Sequence, residues 1–280
     1  MSTPTPPATG EHLVVSIPQP KTLLLRLNKP DKLNAMDDEL EADLCKVLDW
    51  FEDEASLWCV VVTGTGRAFC AGQDLKNWLA TTGTAAAPDE KIRTNPHGFG
   101  SLSRRRSKKP IIIALNGHAF GGGAEITVNG DIVIGCEAGK VGFPEVLRGV
   151  VAGVGGIPNA FLRSPGFLPY LLTGTPIPQA LLKTHLFTEV VPADSVLPTA
   201  LEWARKITAA SPEAVWATKE QVNLHKEGKG MNEVVMESIG AELSQRLYTG
   251  ENIKEGLSSF VERRHPIWKD PPRLTGKAKL

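Results

Sequence analysis

Three consecutive glycines, Gly121, Gly122 and Gly123, stand just before Glu125 in the stretch HAFGGGAEITVNGD. Glycine has no Cβ, so a ligand atom can come against the main chain there. The N–H groups at a helix start are unpaired and can hold an anionic oxygen. A second segment, TGTGRAFCAGQDL, must turn between Gly64 and Gly72 and then presents Gln73 and Asp74 as a helix opening. Asp74 suits capping or first-turn charge. Alone, that segment reads first as a tight strand-to-helix turn. Two such turns, each ending a parallel-type strand, can aim one N–H apiece at one point, which is the geometry of an oxyanion hole. The spacing is not GxGxxG, so a dinucleotide site fits poorly.

Glu145, in VGFPEVLRG, follows Glu125 by 145 − 125 = 20 positions, so the two belong to different elements and can converge. Like charges brought together and buried acquire separate proton affinities, and such a pair around a bound water shares acid and base work. Either glutamate alone reads equally as a solvated or capping acid; the pair beside a glycine turn favours chemistry. His118 has no serine or cysteine in an elbow motif near it, and His185 and His265 lack ligand spacing, so no metal site is assigned. RRRSKK, residues 104–109, reads as a solvated helix end rather than a nucleic-acid patch.

The elements that must position these groups follow from pattern. HLVVSI and TLLLRL, separated by PQPK, predict a hairpin, and DDELEADLCKVLDWFED places Leu40, Leu44, Val47, Leu48 and Phe51 on one helical stripe. WCVVVTG, PIIIALNG and DIVIGCE are short apolar runs expected of strands covered on both sides. With GGGAEITVNG as a helix, the order predicts repeated ββα or βα rounds about a layered core. Residues 81–100, rich in Ala, Thr, Gly and Pro without periodicity, predict a mobile flap or variable loop. After about Pro192 the strands stop and the pattern becomes helical, which predicts a boundary there.

Lys plus Arg number 31 against 31 Asp plus Glu, so no net field collects nucleic acid or an anionic membrane, and a small molecule is the expected partner. Cys45, Cys59, Cys70 and Cys136 form no CxxC pair; they read as core fillers in a reducing compartment. No apolar run approaches a membrane span, and MSTPTPPATGEH lacks the order of a secretory or transit signal, so a loose tail is expected. The other end, Ala278-Lys279-Leu280, is a conservative variant of the Ser-Lys-Leu peroxisomal address.

Together LNKPDKLNAM, GRAFCAGQDL, KPIIIALNGHAFGGGAEI, GDIVIGCEAGKVGFPEVLRGVVAGVGG, LTG and FVERRHPIW resemble the enoyl-CoA hydratase/isomerase (crotonase) superfamily, over roughly residues 12–270. The resemblance implies an α/β fold, a crotonase-like spiral of ββα units with a C-terminal helical trimerisation region, usually assembled as a dimer of trimers. The expected division is a flexible tail at 1–11, the spiral core at 12–192, the helical region at 193–272 and a tail with the address at 273–280. It implies a coenzyme A thioester as substrate, with no separate cofactor.

By the same likeness the oxyanion donors are the backbone amides of Gln73 and Gly122, and the catalytic acids are Glu125 and Glu145. Arg67, Ala71, Gly72, Gln73, Asp74, Leu75, Lys76 and Gly122 would line the thioester and coenzyme A site. The sequence departs from the family in two places. Pro158-Asn159-Ala160 stands where an arginine is usual, and Gln73 is bulkier than the common Ala or Gly. The expected reaction is reversible hydration of a trans-2-enoyl-CoA to a 3-hydroxyacyl-CoA. The alternatives are a double-bond isomerase, a specialised acyl-CoA dehydratase or hydrolase, and a non-catalytic acyl-CoA or RNA-binding protein.

Overall fold

The computed structural model describes residues 4–74, 79 and 95–272. The chain begins with the predicted hairpin, β1 (Leu13–Gln19) against β2 (Thr22–Leu27), antiparallel. Helix α1 (Asp38–Asp53) follows, its start capped by the Asp37 carboxylate, which accepts the Leu40 N–H. All five residues of the predicted stripe are buried. Three rounds then alternate between two sheets. β3 (Cys59–Gly64), β5 (Ile111–Leu115) and β7 (Ile132–Cys136) extend the hairpin into a sheet ordered β1-β2-β3-β5-β7-β9, with β9 (Glu189–Val191) at its far edge. The short strands β4 (Ala68–Cys70), β6 (His118–Phe120) and β8 (Val141–Gly142) form a second, wholly parallel sheet. Each round therefore deposits one strand on each sheet before moving on, and the path is a spiral.

Strand β3 is buried along its whole length, and the period of two divides it between two clusters. Val60 and Val62 join Leu23, Leu25, Ile113 and the apolar face of α1. Cys59 and Val61 point the other way with Leu24, Ile112, Ala114 and Ile134. Onto that second face packs a helix from beyond Pro192. The helices after β6 are α2 (Gly122–Asn129), α3 (Gly156–Arg163), α4 (Leu168–Thr173), α5 (Gln179–His185) and α6 (Val196–Thr208). Val196, Ala200 and Ala204 of α6 lie against the sheet, small side chains that let helix and strands approach. α7 (Pro212–Lys226), α8 (Met231–Gly240), α9 (Glu242–Thr249) and α10 (Glu251–Glu262) complete the helical region.

Several sequence expectations change. The segment from Gly64 to Gly72 is not one turn, because β4 lies inside it, and β6 likewise precedes the glycine run. Residues 104–109 are not a solvated helix end. They carry no helix; Arg105 is buried and Lys109 is 1% exposed. The Lys109 ammonium donates to the carbonyls of Phe51 and Glu54, at 2.6 and 2.7 Å, and stands over the rings of Phe51 and Trp216. It thus adds a second donor to two carbonyls at the end of α1, which also accept the Glu54 and Leu57 N–H groups. Burial pushes its pKa down to about 7. Cys59, Cys70 and Cys136 are buried and free, whereas Cys45 is only half-buried. At the N-terminal segment the Gly10 amide donates to the Asp43 carboxylate at 2.7 Å and the Thr9 hydroxyl to the Leu13 carbonyl at 2.9 Å. Residues 81–94 of the expected flap, and Ala278, Lys279 and Leu280, lie outside the described residues.

Replacing Lys109 by methionine keeps the apolar stem and removes a charged second donor from each of two carbonyls. The expected loss is about 1–3 kcal/mol of unfolding free energy, read from urea denaturation; an unchanged midpoint would mean that solvent serves those carbonyls instead.

Candidate active site

Two asparagines build the first turn. Asn34 is fully buried, with Lys29 N–H on its Oδ1 at 2.8 Å and its Nδ2 donating to the carbonyls of Thr65 and Ala68. Asn116, just past β5, accepts the Gly64 N–H at 2.9 Å and donates to the Gly66 and Ala68 carbonyls. These side chains pair backbone groups that a tight loop cannot pair for itself. Beyond β4, the Ala71 N–H donates to the Leu33 carbonyl at 3.0 Å, and Gly72 takes φ +92°, a conformation costly for a side chain. The Met36 N–H then donates to the Gly72 carbonyl and the Asp74 N–H to the Met36 carbonyl, at 2.8 and 3.0 Å. That parallel bridge occupies the peptides flanking Gln73 and turns the Gln73 N–H to the opposite side.

The second turn closes on the first. Gly121 adopts φ +56° and caps α2, leaving Gly122 at the first helical position. A Cβ on Gly72 would stand 2.9 Å from the Phe120 carbonyl oxygen and 3.3 Å from the Gly122 nitrogen, so the two main chains are in contact. The tight fit extends to Gly123, where a Cβ would meet the Cys70 carbonyl oxygen at 2.2 Å. Neither the Gln73 nor the Gly122 N–H has an acceptor among the described residues.

Glu145 comes beside this turn, and Glu125 lies within its field. Glu125, in the first turn of α2, is 3% exposed, and its Oε2 accepts the Gly156 N–H at 2.7 Å. Burial raises its pKa to about 7, the Glu145 charge adds to the rise, and the Gly156 and Val154 amides oppose it. Glu145 sits on the 3-10 turn Pro144–Arg148 after β8. A Cβ on Gly121 would lie 2.9 Å from its Oε1, which puts that carboxyl beside the glycine turn. Its Oε2 is buried without a hydrogen-bond partner among the described residues. Burial raises its pKa too.

The remaining expected residues are less uniform. Ala71 and Gln73 are half-buried; Asp74 is buried, its carboxylate 3.4 Å from the Lys32 ammonium; Arg67 is exposed on the 64–68 turn. Leu75 and Lys76 lie outside the described residues. His118 is half-buried on β6, its Nδ1 3.3 Å from the Lys140 N–H, as a packed histidine would be. Sequence reasoning missed Asn34, Asn116, Phe99 and Gly156. Phe99 packs its ring over Gly122, where a Cβ would be 2.4 Å from it. Asn34 lies in LNKPDKLNAM, a motif noticed as a block without a role for any one residue.

The sequence pattern described as enoyl-CoA hydratase/isomerase matches residues 20–271. The chain belongs to that family. Among similar members is a mevalonyl-coenzyme A hydratase of Beauveria bassiana, 37% identical, the alignment covering 95% of this chain and 97% of that one. Another, from Aspergillus fumigatus, carries the same description and is 36% identical over 98% of this chain and 100% of its own. The solved enoyl-CoA hydratase of Mycobacterium tuberculosis H37Rv superposes with a TM-score of 0.82 at 28% identity, over 94% of this chain and 100% of that one. The enoyl-CoA hydratase/isomerase spiral accounts for the paired sheets, and the glycine turns lie where its rounds meet.

In this family member the Glu125 titration has a definite sign. Its folded pKa of about 7 exceeds its ordinary 4.5, so between those values the native chain holds a proton that the unfolded chain has lost. Stability attributable to Glu125 is therefore full below about 4.5 and falls as pH rises to about 7, by on the order of 3 kcal/mol. Glu125→Gln should flatten that slope in pH-dependent denaturation; a slope identical to the parent would refute the raised affinity.

Proposed function

We propose that the protein catalyses the reversible hydration of a trans-2-enoyl-CoA to a 3-hydroxyacyl-CoA. The observation that supports this reading is a buried Glu125 carboxyl within the field of a half-buried Glu145, which stands beside the glycine turn near two N–H groups that have no acceptor among the described residues. As water adds to the β-carbon, electron density moves through the α-carbon to the thioester oxygen. The Gln73 and Gly122 amides receive that oxygen and bind its developing charge better than the ground-state carbonyl. A donor of this kind is worth roughly 3 kcal/mol of barrier.

Glu125, its affinity near neutrality, orients the water and takes its proton; Glu145 delivers the proton to the α-carbon. In the reverse direction the roles exchange. Arg67, Ala71, Gly72, Gln73, Asp74, Leu75 and Lys76 line the coenzyme A site together with Gly122, the basic side chains near the nucleotide phosphates. Coenzyme A enters as part of the substrate, and no separate cofactor is required. A double-bond isomerase needs one carboxyl as proton shuttle, so the second acid favours hydration.

Two relatives described as mevalonyl-coenzyme A hydratases favour a narrower reading of the acyl group. That substrate would be a 3-methyl-branched 2-enoyl-CoA with a distal hydroxyl, whose hydration yields a tertiary alcohol.

The reading extends to assembly and address. The helical region 193–272 is proposed to join three subunits, or two such trimers, beyond the spiral core 12–192. Exposed Met231, Met236, Phe260 and Val261 on α8 and α10 support it, because such apolar surface is costly in water. Ala278-Lys279-Leu280 would be read by a peroxisomal import receptor, with a cytoplasmic protein as the other outcome.

Loss of the conjugated absorbance of crotonyl-CoA, and of a 3-methyl-5-hydroxy-2-enoyl-CoA, measures the reaction. Glu125→Gln and Glu145→Gln should each lower kcat by about 10²–10⁴-fold; less than a tenfold loss in both would remove the acid-base assignment. Consumption of a 3-enoyl-CoA alone would identify an isomerase. Deleting the last three residues from a fluorescent fusion should disperse punctate staining, and persistent puncta would defeat the address.

A further inference from the structure

Ser103 is fully buried in the connection between residue 95 and β5. Its hydroxyl accepts the Phe99 N–H at 2.8 Å and donates to the Val154 carbonyl at 2.7 Å. Both of its neighbours touch the site. Phe99 lays its ring over Gly122, and Val154 belongs to the loop whose amides act on the Glu125 carboxyl. One hydroxyl therefore spans the cover of the oxyanion helix and the support of the acid.

The surroundings show how closely this junction is built. A Cβ on Gly98 would meet the Ser103 Oγ at 2.4 Å and the Val154 carbonyl oxygen at 2.5 Å; on Gly155 it would meet the Ser103 carbonyl oxygen at 2.8 Å. The arch itself carries three left-handed residues, Gly98, Gly100 and the non-glycine Ser101 at φ +55°. Strain of this sort persists only where neighbours hold it. The Ser103 carbonyl accepts the Asn159 Nδ2 at 3.1 Å, and that amide also reaches the Asn129 Oδ1 of α2 at 3.3 Å. Asn129 in turn donates to the Leu102 carbonyl at 2.6 Å.

We propose that Ser103 is a positioning residue, which ties the Phe99 cover of the Gly122 amide to the Val154–Gly156 loop and so holds oxyanion donor and acid in one frame. The proposal rests on the hydratase reading for its kinetic consequence. Ser103 acts through Phe99 and Val154 and itself touches no reacting atom. Without its hydroxyl, the N–H of Phe99 and the carbonyl of Val154, both half-buried, lose a partner, and the loop relaxes. The Gly156 and Val154 amides stabilise the Glu125 carboxylate, so a looser loop raises the affinity of Glu125 for its proton. Glu145 is the charged group acting on Glu125, with Arg148 acting on Glu145 in turn.

Ser103→Ala should lower kcat about tenfold through misplacement, with KM changed less than about twofold. The acid limb of the kcat profile should move to higher pH. A purely structural serine would lower the melting temperature and leave kcat per folded site and the limb in place. Asn159→Ala, which cuts the tie to the Ser103 carbonyl without emptying the buried serine position, should move kcat and the limb in the same direction by less, and it decides the matter if Ser103→Ala does not fold. An active wild type with both folded variants at parental kcat and limb overturns the proposal. A wild type inactive on 2-enoyl-CoA overturns the hydratase reading instead. Amide hydrogen exchange at Phe99, Val154 and Gly156 then judges the tie: faster exchange in the variants supports it, unchanged protection rejects it.

Discussion

A side chain on Gly72 would have to share space with the Phe120 carbonyl and the Gly122 amide, and one on Gly123 with the carbonyl of Cys70. That contact between two main chains is the constraint from which the rest of the site follows. It requires β4 and β6 to lie side by side in the small sheet, and so requires the round that carries β6 to end on that sheet before α2 begins. It also accounts for the glycines in both turns. The amides of Gln73 and Gly122 belong to different rounds, yet their positions depend on rigid strands rather than on flexible side chains. Donors fixed in this way need no reorganisation as charge develops, and such preorganisation is the larger part of electrostatic catalysis.

Around that contact, burial and pairing are set against each other. Glu125 is nearly inaccessible and lies within the field of a second carboxyl, and both effects favour the neutral acid; two backbone amides favour the carboxylate. The balance leaves its affinity near neutrality, where a group can both take and return a proton. Glu145 sits on a short 3-10 turn after a two-residue strand, with one oxygen beside Gly121 and the other buried without a partner among the described residues.

Polar side chains with no part in the chemistry do much of the positioning. Asn34 and Asn116 pair the backbone of the 64–68 turn, Lys109 closes the end of α1, and Ser103 joins two loops over α2. Loops that approach each other this closely leave donors and acceptors unpaired, and burying those without partners is costly. The same side chains look unremarkable in the sequence. Lys109 closes a run of basic residues that reads as solvated surface, because composition carries no information about which lysine lies under a helix end.

Local order alone accounts for much that was legible. The stripe Leu40, Leu44, Val47, Leu48, Phe51 and the apolar runs at β3, β5 and β7 announce a helix and covered strands, since burial on one face or two imposes its own period. The glycine run and the two glutamates stand out in the sequence as candidates because their residue types are unusual in company. β4 and β6 escaped notice: three residues are too few to show a period of two, and glycine-rich neighbours read as turns. What the chain's own sequence determined was the inventory of elements and reactive groups. Only the folded chain decided that Gly72 meets Gly122, that Glu125 meets Gly156 and lies within the field of Glu145, and that Asn34 and Ser103 hold them there. These relations join residues about twenty to fifty positions apart, and their closeness arises from parallel strand pairing between rounds, which no local pattern encodes.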